Sequence, residues 1–237
     1  MKIKKQSVII VALILLYGNS FAQTKESGSA KIRDGEKSAE TYFDLMINVV
    51  STNFNYGSSN SATSDYKEDV KGINAGVSFQ AGISPKFSLV SELYYIRRGG
   101  ELTARNPITT QQSIIKLNAF ELPLMARFHF GKLYMNAGPS ISYNFSGNRT
   151  IEGVRTDISF NKSAGAFNRQ DAGIQMGGGF MFQIKQKRLA LDIRYCYGLT
   201  NISYDKEMFN RGLIISVHFS KPWKTNPLGK KTKSSGF

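Results

Sequence analysis

Seven charged residues raise the question of chemistry: Asp44, Glu92, Glu121, Asp171 and Asp192 against Arg127 and Arg194. Each stands in a stretch where apolar and polar residues alternate, on the side opposite the apolar ones. Charges enclosed together can pair as structural ties, or they can line a path for protons or ions. Unpaired charges in a water-poor interior cost several kcal/mol each, so pairing is the expected arrangement. Arg127 is expected to reach Glu92, and Arg194 to reach Asp192, Asp44 or Glu92. Other reactive groups are sparse. His129 and His218 are the two histidines, and both lie at the turn-side ends of their alternating stretches. A general base needs a nucleophile and an orienting acid within reach, and two histidines alone do not make a zinc site. Cys196 is single, which excludes an internal disulfide and a cysteine metal cluster. Gly177-Gly178-Gly179 lacks the strand–turn–helix context and the following Lys-Ser/Thr of a phosphate loop. The residues call for no cofactor and no metal, and no catalytic residue is assigned.

The elements that must position these charges are strands. Eight period-2 runs succeed one another, each bounded by Gly, Asn, Ser or charged clusters. They are Tyr42 to Thr52, Gly72 to Ile83, Phe87 to Ile96, Ile114 to Phe130, Leu133 to Phe145, Asp171 to Phe182, Leu189 to Leu199 and Arg211 to Phe219. The fourth sets Phe120, Leu122, Leu124 and Phe128 opposite Glu121 and Arg127, and the seventh sets Leu191, Ile193 and Tyr195 opposite Asp192 and Arg194. Inward glycines such as Gly76, Gly177 and Gly179 would make room for Tyr94, Tyr134 and the arginines.

The connections alternate in length. Ser84-Pro85-Lys86, Gly131-Lys132 and residues 184–188 are short, whereas 53–71, 97–113, 146–170 and 200–210 are long and polar. On the apolar face, Phe87, Phe128, Phe130, Phe182 and Phe219 lie near the short connections. Tyr95, Phe120, Tyr143, Phe145, Tyr195 and Tyr197 lie near the long ones. Two aromatic girdles around an aliphatic band suit a wall that faces lipid. A soluble sandwich or a lipocalin-like barrel points its apolar face inward and does not predict girdles at both ends. The fold expected is therefore all-β: an eight-stranded antiparallel up-and-down transmembrane β-barrel with short periplasmic turns and four long extracellular loops, in the outer membrane of a Gram-negative cell.

The ends of the chain agree. Lys2, Lys4 and Lys5 precede an apolar run from Val8 to Tyr17 and then Ser20-Phe21-Ala22, the pattern of a signal peptide over residues 1–22. That run is shorter than the roughly 20 residues needed to span a bilayer as a helix. Removing 22 of 237 residues leaves 215, enough for one domain, and lowers the formal charge from +14 to +11. Residues 23–40 read as a flexible periplasmic linker, 41–219 as the barrel and 220–237 as a basic periplasmic tail. An exported basic chain meets lipid phosphate rather than nucleic acid, so the expected partners are outer-membrane lipid and lipopolysaccharide.

Glu121-Leu122-Pro123-Leu124-Met125 with Arg127-Phe128 resembles the "E-x-P-L-x-x-K/R-F" strand of the PorT-like family of small outer-membrane β-barrel proteins. Ala137-Gly138-Pro139-Ser140-Ile141-Ser142-Tyr143 is similar to their next strand, and Ser91 to Tyr95 and Leu191 to Tyr195 look like the third and seventh. The resemblance covers about Gly72 to Phe219. It implies the barrel, and it brings a second functional expectation, an accessory role in type IX protein secretion with envelope or secretion proteins as partners. The first expectation is a non-enzymatic structural or loop-binding role at the cell surface; a lipid-modifying enzyme is a remote third. The strand assignment carries three local expectations. Pro123 and Pro139 should interrupt the ladder between their strands, Arg127 should pair with Glu92, and a lumen filled by Tyr94, Tyr134, Arg127, Arg194 and Met125 should not conduct.

Overall fold

The computed structural model describes residues 41–184 and 187–220. The segments read as signal peptide, linker and basic tail lie outside the described residues, except that Ser220 belongs to the last strand. The strands are β1 (Tyr42–Asn55), β2 (Lys67–Ser84), β3 (Phe87–Leu102), β4 (Ser113–Phe130), β5 (Leu133–Ile151), β6 (Val154–Asp157), β7 (Gln170–Ile184), β8 (Lys187–Gly198) and β9 (Phe209–Ser220). Each pairs antiparallel with its neighbour in the order β4-β3-β2-β1-β9-β8-β7-β5, and β4 pairs with β5 to close the ring. The first and last strands zip together from Asp44↔Ser220 to Asn55↔Phe209. This is a closed eight-stranded antiparallel barrel; β6 is an extra hairpin strand on β5. No edge is left in the ring, which is the condition for a sheet to cross lipid.

The burial is inverted relative to a soluble protein. Along β1, Leu45, Ile47 and Val49 are exposed while Asp44, Met46 and Asn48 between them are buried. The same alternation runs around the ring, with Leu93, Leu124, Ile141, Ile193 and Ile215 outward and exposed. On β4 the outward apolar face runs from Phe120 to Phe130. Eleven residues tilted as such strands are span about 25 Å, the height of a lipid-facing band. The rings at its two edges touch one another. Phe87 and Phe128 lie 5.1 Å apart between centroids near the short turns, and Phe120 and Phe145 lie 5.2 Å apart on the other side.

Most strands run further than their lipid-facing alternation, because the pattern changes polarity without losing phase. Beyond the outer aromatic girdle the inward positions become apolar (Phe54, Leu102, Ile115, Leu117) and the outward ones polar (Asn53, Glu101, Lys116). With no lipid outside, the inside supplies the hydrophobic burial instead. Residues 53–71, 97–113, 146–170 and 200–210 are thus only partly loop. The stretch at 146–170 contains the β5–β6 hairpin, turned by Glu152 and Gly153 at φ 46° and 84°. Two positive φ values in a two-residue turn match the right-handed twist of the strands.

Two local expectations meet different outcomes. The β4–β5 ladder does lapse between Pro123↔Ser140 and Ala126↔Ala137, where Pro139 stands opposite Leu124, and the register does not shift there. The β3–β4 ladder also skips the residues opposite Pro123, between Ser91↔Leu124 and Tyr94↔Glu121. An absent N–H on an internal strand leaves this gap. The β3–β4 register, by contrast, differs from the one expected. Ser88, not Val90 or Glu92, stands opposite Arg127, because β4 runs two residues past the partner of Phe87 before turning. This stagger is the shear that closing a barrel requires.

Candidate functional site

The seven charges expected to face inward all reach the lumen, and the structure joins them into one column. At the short-turn end Arg188 donates to Asp44 at 2.7 Å and to Gln80 at 3.1 Å. Gln80 also accepts from Arg127 at 3.0 Å. Arg127 meets Asp192 at 3.4 Å, and Asp192 in turn accepts from Tyr134 and Asn136 at 3.2 and 2.9 Å. Arg194 lies 3.6 Å from Asp192 and 2.7 Å from Glu92. It also donates to Gln175, which passes the chain to Glu121 at 2.8 Å and to the Tyr94 hydroxyl at 2.7 Å. At the outer end Arg98 stands 3.9 Å from Glu121 and 3.2 Å from Asp171, whose other contacts are Asn210 and Thr200.

The expected Arg127–Glu92 pair is therefore not formed. Glu92 lies four residues from Ser88, the residue opposite Arg127, or about 13 Å along the strand. Arg127 turns across the lumen to Asp192 and stacks its guanidinium 4.1 Å above the Tyr134 ring. Of the partners expected for Arg194, Glu92 and Asp192 are correct. Asp44 goes to Arg188 instead.

Two further arginines, which the sequence pattern places in connections, complete the column. Arg98 falls in a long polar connection and Arg188 in a short one, yet both are buried and inward. Each continues the parity of its strand: Arg98 follows Glu92 and Tyr94, and Arg188 precedes Asp192 and Arg194. With them, four guanidinium groups face five carboxylates among the described luminal residues. The space for these large groups comes from glycine. A Cβ at Gly76 would run into Tyr94, one at Gly177 into the backbone of Ile193 and Arg194, and one at Gly179 into the Tyr134 hydroxyl. A cavity of about 30 Å³ beside Arg98, Glu121 and Asp171 has room for one or two waters.

The histidines take modest places. His129 Nε2 lies 2.9 Å from Ser88 Oγ at the turn-side mouth, with Arg127 and Arg188 as its charged neighbours and, among the described residues, no carboxylate bonded to its ring. His218 Nδ1 is 3.7 Å from Asp44. Among the described residues no group of three or more His, Cys, Asp and Glu side chains is placed to hold a metal ion.

Above the column sits a second core. Phe54, Tyr56, Leu102, Ile115, Leu117, Phe167, Ile202 and Met208 are buried together, with Tyr66, Ile108, Ile158 and Phe160 packed against them. Every long connection contributes to it. Backbone bonds tie the connections to one another, as from Asn168 to Ile202 and from Tyr204 to Ala166. The connections thus form a cap over the mouth. Burial pushes the Tyr56 phenol up, well beyond its ordinary range. The polar look of these segments hides the cap in the sequence, because its apolar residues are spaced too far apart to show as a run.

An outward apolar wall, an enclosed charge column and a capped mouth define a small barrel of the outer membrane. The chain belongs to the family described as outer membrane protein beta-barrel domain, whose model matches residues 21–204. Its location is the outer membrane. No curated protein matches it. Among solved structures it is similar to Neisserial surface protein A (NspA), at 13% identity and TM-score 0.43, over 79% of this chain and 100% of that one. It is also similar to Ail, the attachment invasion locus protein of Yersinia pestis, at 10% identity and TM-score 0.41, over 78% and 99%. A third is OprG from Pseudomonas aeruginosa, at 10% identity and TM-score 0.40, over 79% and 95%.

Proposed function

We propose that this barrel is a non-enzymatic scaffold that holds an ordered cap at the cell surface for binding. The observation that carries the reading is the shared core of the cap, in which residues from every long connection are buried together. Loops tethered so to a rigid ring present a fixed outer surface, the usual place of function in such scaffolds. The column below it serves as structural glue: each of its four arginines has a carboxylate within 4.0 Å. The chemistry of the site argues against an enzyme. Among the described residues the Ser88–His129 pair has no acid hydrogen-bonded to the base, and it faces the turn side, away from the cap.

Photocrosslinkers placed singly at Ser58, Arg155 and Lys206 on the cap, and at Lys86 and Lys132 on the turns, test the reading in intact cells. Adducts confined to the cap positions are expected. Adducts confined to the turn positions would overturn it and favour the second reading, an accessory of type IX secretion of the PorT-like kind. That alternative draws on the motif from Glu121 to Phe128, which forms the middle of β4 with Glu121 and Arg127 inward. It predicts that deletion stops export of secreted substrates.

A further inference from the structure

The outward wall just above the outer aromatic girdle carries cations, Arg97 and Lys116 on adjacent strands, that have no side-chain partner among the described residues. Arg97 on β3 stands in register with Asn118 on β4, and Lys116 stands in register with Gly99 on β3. They are diagonal neighbours on one outward face, which puts them ~7–8 Å apart. Neither side chain has a carboxylate within salt-bridge distance or a hydrogen bond to the described residues. The neighbouring acids of the wall are occupied: Asp69 accepts from Ser51 and Asn53, and Glu101 accepts from Gln112. Arg211, an arginine on β9 near the same girdle, behaves differently. Arg211 lies 3.5 Å over Tyr197 and spends its donors on the Gly198 and Asn210 carbonyls at 2.8 Å.

From Lys116 downward the wall is graded. A neutral polar row in register with Arg97 comes first, in which Tyr95 Oη donates to Asn118 at 2.7 Å and Asn118 donates to Ser146 at 2.9 Å. Next come three rings in mutual contact, with Tyr95 6.4 Å from Phe120 and 6.2 Å from Phe145, and Phe120 5.2 Å from Phe145. Apolar side chains such as Leu93 and Leu124 follow. Charge, hydrogen-bonding groups, rings and hydrocarbon thus succeed one another in the order of a lipid molecule's own parts.

We propose that this face of β3, β4 and β5 binds a phosphorylated glycolipid of the outer leaflet. Arg97 and Lys116 hold its phosphate, the guanidinium offering two parallel donors and the ammonium a point charge. Asn118 and Ser146 lie where sugar hydroxyls would meet them. Tyr95, Phe120 and Phe145 lie against the acyl chains, at the level where aromatic belts sit. The inference rests on the outer-membrane placement and not on the reading of the cap, so either can fail alone.

The test uses full-length refolded protein in phosphatidylethanolamine nanodiscs doped with diphosphoryl lipid A. Native mass spectrometry reads the lipid A retained, with heat-modifiable gel migration as the check on folding. Arg97→Gln with Lys116→Gln should lower retention at least tenfold, and fully dephosphorylated lipid A should be retained no better by the unaltered protein. Lys86→Gln with Lys132→Gln, on the short turns, should change nothing. Full retention by the Arg97/Lys116 variant, an equal loss from the turn-side variant, or equal displacement by phosphatidylglycerol would each overturn the proposal.

Discussion

Arg194 Nη1 meets Glu92 Oε2 at 2.7 Å between β8 and β3, strands that stand four places apart in either direction around the ring. The pair is a strut across the full width of the lumen, and both side chains are shut off from solvent. Removing one end strands the other charge. Arg194→Met should therefore destabilise the barrel by about 3–5 kcal/mol, since it leaves Glu92 without its cation and Asp192 with Arg127 alone. Arg194→Met with Glu92→Leu should cost distinctly less. Urea unfolding in detergent micelles, followed by the gel shift of the folded form, reads both; equal losses would show that the pair is not coupled.

Gly177 and Gly153 differ in what a methyl group would meet. At Gly177 it would strike the carbonyl of Ile193 and the backbone of Arg194, which are fixed by the β7–β8 ladder. Gly177→Ala should sharply reduce the yield of heat-resistant folded barrel. At Gly153 nothing lies within 4 Å, but φ is +84°, so Gly153→Ala should cost only about 1 kcal/mol and fold normally. Similar yields from the two variants would contradict the close approach of β7 and β8.

The alternation from Tyr42 to Phe219 makes the eight strands, their order of short and long connections and the inward charges legible in the sequence alone. Three features are not. The β3–β4 stagger is a property of ring closure and leaves no mark in either strand, so simple counting from the turn pairs Arg127 with the wrong carboxylate. Arg98 and Arg188 escape notice because flanking Gly99-Gly100 and a lysine-rich turn resemble loop, although counting by twos from Glu92 and Asp192 places both inside. The cap is hidden for a related reason: Phe54, Leu102 and Leu117 continue the inward parity, but their partners Phe167, Ile202 and Met208 come from non-repeating segments.

Phe167 is fully buried in the cap core, far from the lipid band. Phe167→Ala should cost about 3–5 kcal/mol locally without unfolding the ring. Trypsin should then cut the outer connections at Arg155, Lys162 or Arg169 much faster in the variant than in the parent, while the strand core stays intact. Unchanged digestion would mean that the cap is held by its backbone bonds alone.

The lumen should not conduct. An eight-strand ring is just wide enough for its own side chains to fill, whereas aqueous pores take about 16–18 strands. Here Arg127, Arg194, Tyr94, Tyr134 and Met125 occupy the axis with at most 2% exposure. Refolded protein in planar bilayers at neutral pH should give no uniform current steps. Arg98→Ala, which vacates the narrow cavity under the cap, should not open one either, because the column below remains.

The seam between β1 and β9 joins residues near 44 to residues near 220. Every other strand pair of the ring can form between segments close together in the chain, so hairpins can accumulate early. The seam must wait until nearly the whole domain has emerged and curved, and it closes the largest loop of all. Until then both strands expose unpaired backbone in a medium that cannot solvate it. Insertion is therefore timed by its final pairing: a half-built sheet has no resting place in the bilayer, and a defect near Asn48 or Ser216 should trap the chain before it, rather than weaken the product after it.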